Sequence, residues 1–167
     1  MEWHPISVHF PIALLIVAGL AYFAQAIKPE ERLFGQGGFW LHALGWAGMI
    51  VAIFTGRSAE SSLVHTQQIH EWVETHELWG YIAAWLFAMM LVWKYLRIRK
   101  TVKPELWAYA VIFAAMLGVM GYGASIGGKL VYEGGAGVKP MEPHLKEQFQ
   151  REQRKDQTPN LPVSLPR

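Results

Sequence analysis

The chain has 167 residues, of which 52% are hydrophobic and 17% charged, with a formal net charge of +2 and no cysteine. So small a charge gives no basis for nucleic-acid binding. The missing cysteine excludes disulfides, thiolate-held iron–sulfur clusters, covalent c-type haem and cysteine zinc sites within these residues, leaving histidine as the main ligand for a transition metal.

A helix needs about 20 mostly apolar residues to cross a hydrocarbon layer of about 30 Å. Four stretches meet that length and predict an all-α fold, an integral membrane four-helix bundle over residues 1–138 with an extended polar tail over 139–167. The first span is about Ile6 to Ile27, inside a run without Asp, Glu, Lys or Arg from Trp3 to Ile27. Met1-Glu2-Trp3 is not basic and no small-residue cleavage site precedes Lys28-Pro29-Glu30-Glu31-Arg32, so an uncleaved first helix is expected. Gly35, Gly37 and Gly38 predict a flexible link to the second span, about Phe39 to Gly56, whose Gly45, Gly48, Ala52 and Gly56 form a small-residue packing stripe. The third span runs from about His76 to Leu96. The fourth, about Leu106 to Ile126, opens at Pro104 and closes in a glycine-rich segment, Gly118 to Gly128. In the tail, His144 to Lys155 has helix-forming composition but only Leu145 and Phe149 as an apolar pair, which predicts a disordered or partner-binding segment.

Lys28, Arg32, Lys94, Arg97, Arg99, Lys100 and Lys103 fall at one end of these spans, against Arg57, Lys129 and Lys139 at the other. The positive-inside rule then predicts a multi-pass membrane protein with both termini outside and the basic loops in the cytoplasm. Trp3, Trp72 and Trp79 at one end and Trp40, Trp93 and Trp107 at the other read as interfacial belts, while Trp46 and Trp85 near mid-span read as core packing.

Five of the seven histidines, His4, His9, His65, His70 and His76, converge on the terminal side. Ionisable groups at membrane depth face the bundle interior and bind, relay or pair. By depth, His9 on the first helix and His76 on the third are the candidate metal ligands, the pair a haem b iron needs from facing helices. Gly121 and Gly123 would give the macrocycle room, and Phe10, Trp79 and Tyr122 would wall it. His4 reads as interfacial, His65 and His70 as part of a solvated loop or interfacial helix, and His42 as a helix-packing or interfacial residue. Glu71, Glu74 and Glu77 read as interfacial solvation or as acceptors that orient imidazoles.

His4-Pro5, Val8-His9-Phe10-Pro11-Ile12-Ala13-Leu14, Thr55-Gly56, His76-Glu77-x-x-Gly80, Gly127-Gly128-Lys129-Leu130-Val131-Tyr132 and Gly137-Val138 together carry a resemblance. Over about residues 3 to 138 the chain resembles the small bacterial membrane proteins grouped as domain of unknown function 2231. The resemblance implies a four-helix membrane domain of a kind found beside redox proteins such as Rieske iron–sulfur domains, and no established activity. Members often carry His-Gly after Val-Tyr-Glu, where this chain has Gly134-Gly135, and Ser125 stands where another polar or histidine residue can occur; a ligand from the fourth helix is therefore not expected. No hydrolase, phosphate-loop, zinc-protease or dinucleotide motif is present, so no catalytic activity of its own is expected. With the resemblance, the expectation is a haem b electron-transfer protein, or a subunit of a respiratory electron-transfer complex, embedded in the lipid bilayer of a bacterial inner membrane with both termini periplasmic. It would meet redox or membrane-complex proteins on its outer face through the tail, with a quinone as a further candidate partner. The alternative is a cofactor-free subunit that anchors a larger membrane complex.

Overall fold

In the computed structural model the chain forms five helices: α1 (His4–Ile27), α2 (Arg32–Glu60), α3 (Gln67–Arg97), α4 (Lys103–Tyr132) and α5 (Glu142–Gln157). The structure describes residues 3–61, 63, 66–97, 103–138 and 141–157. The first four helices are long and apolar enough to cross a membrane. At 1.5 Å per residue even α1, the shortest of them, reaches about 36 Å. Their outward side chains, among them Leu20, Phe54, Trp85 and Val111, are exposed apolar groups suited to lipid contact.

Local chemistry sets the boundaries. α1 starts with a proline in its first turn and stops where Pro29 forces Lys28 out of helical geometry (φ −121°, ψ 75°). So short a turn makes α2 antiparallel to α1. α2 begins earlier than the sequence suggested, because Gly35 and Gly38 are buried helix residues and not a flexible link. They serve as recesses for α1: a Cβ at Gly38 would lie 2.9 Å from the Tyr22 ring, and one at Gly45 would lie 2.8 Å from Leu15. α4 likewise continues through Gly127 and Gly128 to Tyr132, and the chain then reverses with Gly135 and Gly137 at positive φ (63° and 73°).

The four long helices are arranged as two hairpins. α1 packs most closely on α2 and α3 on α4, and the hairpins meet along looser α1–α4 and α2–α3 seams, which leaves α1 and α3 diagonally opposed. The centre is filled by Leu15, Ala18, Tyr22, Met49, Ala83, Ala84, Phe87, Met90, Tyr109, Phe113 and Met116. A separate small core of Ile69, Val73, Leu130, Ala136 and Leu145 docks α5 against the first turns of α3 and the end of α4. Thus residues 142–157 of the polar tail form a helix anchored by Leu145. The end bearing His4 is called the histidine end and the opposite one, with Lys28 and Arg97, the basic end.

Candidate functional site

At the histidine end, each hairpin presents one imidazole and fixes it by the same device. His4 of α1 donates from Nδ1 to the Ala52 carbonyl of α2 at 3.0 Å, with Thr55 Oγ1 at 3.3 Å. His76 of α3 donates from Nδ1 to the Gly123 carbonyl of α4 at 2.8 Å. A carbonyl only accepts, so both rings hold their proton on Nδ1 and carry the lone pair on Nε2. In each case the residue four positions beyond the accepting carbonyl is a glycine. A Cβ at Gly56 would sit 3.0 Å from His4 Cε1, and one at Gly127 would sit 2.9 Å from His76 Cε1. A side chain at either glycine would therefore push its imidazole away from the helix. Ser7 ties the His4 turn further, bonding Thr55 Oγ1 at 2.8 Å and the His4 carbonyl at 2.9 Å.

The two rings meet across the seam between the hairpins, with centroids 6.3 Å apart and planes at 80°. Metal–nitrogen bonds of about 2.0–2.1 Å, plus about 1.1 Å from each nitrogen to its ring centre, put two coaxial imidazoles about 6.3 Å apart on opposite sides of one ion. Among the described residues no three His, Cys, Asp or Glu side chains converge on a metal position.

The structure rearranges the expected site. His9 does not face His76: its ring is exposed on α1 and bonds the Pro5 carbonyl one turn back. His4, read as interfacial, is the imidazole that faces His76. Phe10 is also exposed and packs over Gly48 of α2. Gly121 is exposed with no atom near its missing Cβ, whereas Gly123 is buried against Trp79 and supplies the carbonyl that holds His76. Trp79 and Tyr122 contact each other edge-on, with centroids 4.9 Å apart. His70 lies in the first turn of α3, 3.3 Å from Glu74, and His65 falls outside the described residues. Trp85 faces outward with 72% of its surface exposed, while Trp46 packs inward and donates to the Ala84 carbonyl at 3.0 Å.

A second polar centre, toward the basic end, was not anticipated. His42 is a fully buried helix-packing residue and not an interfacial one, and its ring is also hydrogen-bonded: Nε2 donates to the Phe87 carbonyl at 3.0 Å, and Nδ1 lies 3.4 Å and 3.5 Å from the hydroxyls of Tyr22 and Tyr109. The Tyr109 hydroxyl itself donates to the Met90 carbonyl at 3.0 Å. Lys94, counted above as a loop charge, is only 5% exposed. Its ammonium bonds Gln25 Oε1 at 2.7 Å and lies 4.9 Å and 5.2 Å from the Tyr22 and Tyr109 ring centres. The sequence signal was available: Gly35, Gly38, His42, Gly45, Met49 and Ala52, the buried face of α2, follow a strict three-four spacing.

No curated protein and no solved structure matches the chain. The family described as Predicted membrane protein (DUF2231) matches residues 2–140. With four membrane-length helices and a match over most of its length, the chain belongs to that family of predicted membrane proteins.

Proposed function

We propose that the chain is a small membrane electron-transfer subunit in which His4 and His76, one from each hairpin, would hold haem b. The observation that carries this reading is the meeting of two backbone-anchored imidazoles across an inter-hairpin seam at 6.3 Å and 80°. Metal-bound histidines commonly donate their other ring N–H to a carbonyl, which fixes tautomer and ring plane; Ala52 and Gly123 fill that role here. Gly56 and Gly127 let each imidazole lie close against its neighbouring helix. Haem b held in this way would supply one-electron exchange between ferric and ferrous iron, for a redox partner or a quinone.

The test is the visible spectrum of the purified full-length chain produced with haem available. A Soret band is expected, lost in His4→Ala and in His76→Ala and retained in His9→Ala. A folded, colourless wild-type protein, or a band that survives both substitutions, would end the reading and leave the chain as an anchoring subunit without a cofactor.

A further inference from the structure

Toward the basic end, the bundle encloses an ionisable cluster to which every membrane helix contributes. Tyr22 and Gln25 come from α1, His42 from α2, Lys94 from α3 and Tyr109 from α4. From Gly56, which cradles His4, back to His42 is 14 residues of α2, or about 21 Å along the axis, so this cluster is separate from the histidine pair. Packing alone would be served by apolar residues, and ionisable groups at such depth commonly take part in proton relays.

Access is one-sided. Beside the cluster lies a cavity of about 10 Å³ lined by Trp93, Lys94, Arg97, Glu105, Leu106 and Tyr109, about the room a single water needs. Glu105 holds its rim: its carboxylate accepts from Trp93 Nε1 at 3.2 Å and lies 3.4 Å from Arg97 Nε. Toward the histidine end, Leu15, Met49, Phe113 and Met116 pack into an apolar layer. The indole N–H of Trp46 is taken up by the Ala84 carbonyl.

We propose that this cluster is a proton-loading site, open to the aqueous phase at the basic end and closed toward the other, with His42 as the terminal acceptor and Lys94 controlling entry. The Tyr109 hydroxyl turns from the Met90 carbonyl to Nδ1 of His42 and gives up its proton there, as a hydronium proton in the cavity passes to the Tyr109 oxygen. The tyrosine is left neutral, and the imidazole becomes a cation that keeps its Nε2–H on the Phe87 carbonyl. Tyr22, whose hydroxyl also faces Nδ1, is not among the residues that line the cavity, so entry runs through Tyr109. The groups that face the imidazole or the path to it are Tyr22 and Gln25 from α1, Lys94 and Arg97 from α3, and Tyr109 and Glu105 from α4. The Lys94 ammonium, held by Gln25 and the two tyrosine faces, opposes a second positive charge beside it. Loading His42 therefore adds a second positive charge beside Lys94, which restricts it to acid conditions on the basic side.

The experiment is a pH jump on proteoliposomes of the full-length chain adsorbed to a solid-supported membrane, with orientation sorted by protease access to α5. An acid jump at the basic end should give a transient displacement current that decays to zero, and the same jump at the histidine end should give none. Tyr109→Phe keeps the ring packing and removes the hydroxyl, so the transient should be lost. It should also be lost in His42→Gln, whereas Lys94→Met, which removes the opposing charge, should give the transient at higher pH; each variant is checked by its thermal melt in detergent. A wild-type protein without a transient, a transient unchanged in Tyr109→Phe, or a sustained current through the membrane would each overturn the proposal.

Discussion

Gly45→Ala gives the sharpest test of how α1 and α2 meet. The new methyl carbon would stand 2.8 Å from Leu15 Cγ, 3.0 Å from its Cδ2 and 3.3 Å from Leu14 Cβ. Ordinary carbon contacts lie at about 3.5–4.0 Å, so the helices must separate by several tenths of an ångström or Leu15 must leave its rotamer. Overpacking of this kind costs about 1–3 kcal/mol. Alanine returns up to about 1 kcal/mol through its better helix propensity, for a net destabilisation of about 1 kcal/mol. Gly37 is the internal control. It lies on the same helix with no atom within 4 Å of its missing Cβ, so Gly37→Ala should stabilise by up to about 1 kcal/mol. The two variants should thus differ by roughly 2 kcal/mol, about a thirtyfold ratio in folding equilibrium constant. Equilibrium unfolding in mixed detergent micelles, or steric trapping in bicelles, reads that difference directly. Equal stabilities for the two variants would refute the glycine recesses as the basis of α1–α2 packing.

Two further outcomes follow from the fold. Leu145→Ala removes the α5 side chain buried against Ile69, Val73 and Leu130, at a cost of about 2–3 kcal/mol; hydrogen exchange should rise in α5 while the membrane helices keep their protection, and unaltered exchange in α5 would contradict its docking. Brominated acyl chains should quench Trp85, 72% exposed, more strongly than inward-packed Trp46, read in variants keeping one tryptophan of the pair; equal quenching would contradict the assigned helix faces.

The membrane fold was legible because four long uncharged runs leave few alternatives. The identity of the paired imidazole was not, and the reason is specific. Depth along α1 made His9 the candidate, but helix phase favours His4, which lies seven residues before Pro11. Pro11 shares the buried face with Leu15, Ala18, Tyr22 and Ala26. His9 is five residues past His4, about 140° round the helix at 3.6 residues per turn. In a helix that is apolar all round, hydrophobicity cannot tell lipid side from bundle side; small residues and phase must do it instead. The same logic would have placed His42, which lies in register between Gly38 and Gly45. Lys94 was misread because a lysine near a span end is counted as a loop charge, whereas its position continues the buried face through Phe87 and Met90. The α5 anchor could not be read from a tail with so few apolar residues, since its burial depends on a surface made by α3 and α4.

The duplicated anchoring of His4 and His76 bears on how the protein assembles. Each ring bonds a carbonyl on the other helix of its own hairpin, across sequence separations of 48 and 47 residues. Both imidazoles can therefore be oriented before the hairpins meet, once each pair of helices has inserted into the lipid. Docking of the two halves then brings the rings to their edge-on contact, with centroids 6.3 Å apart.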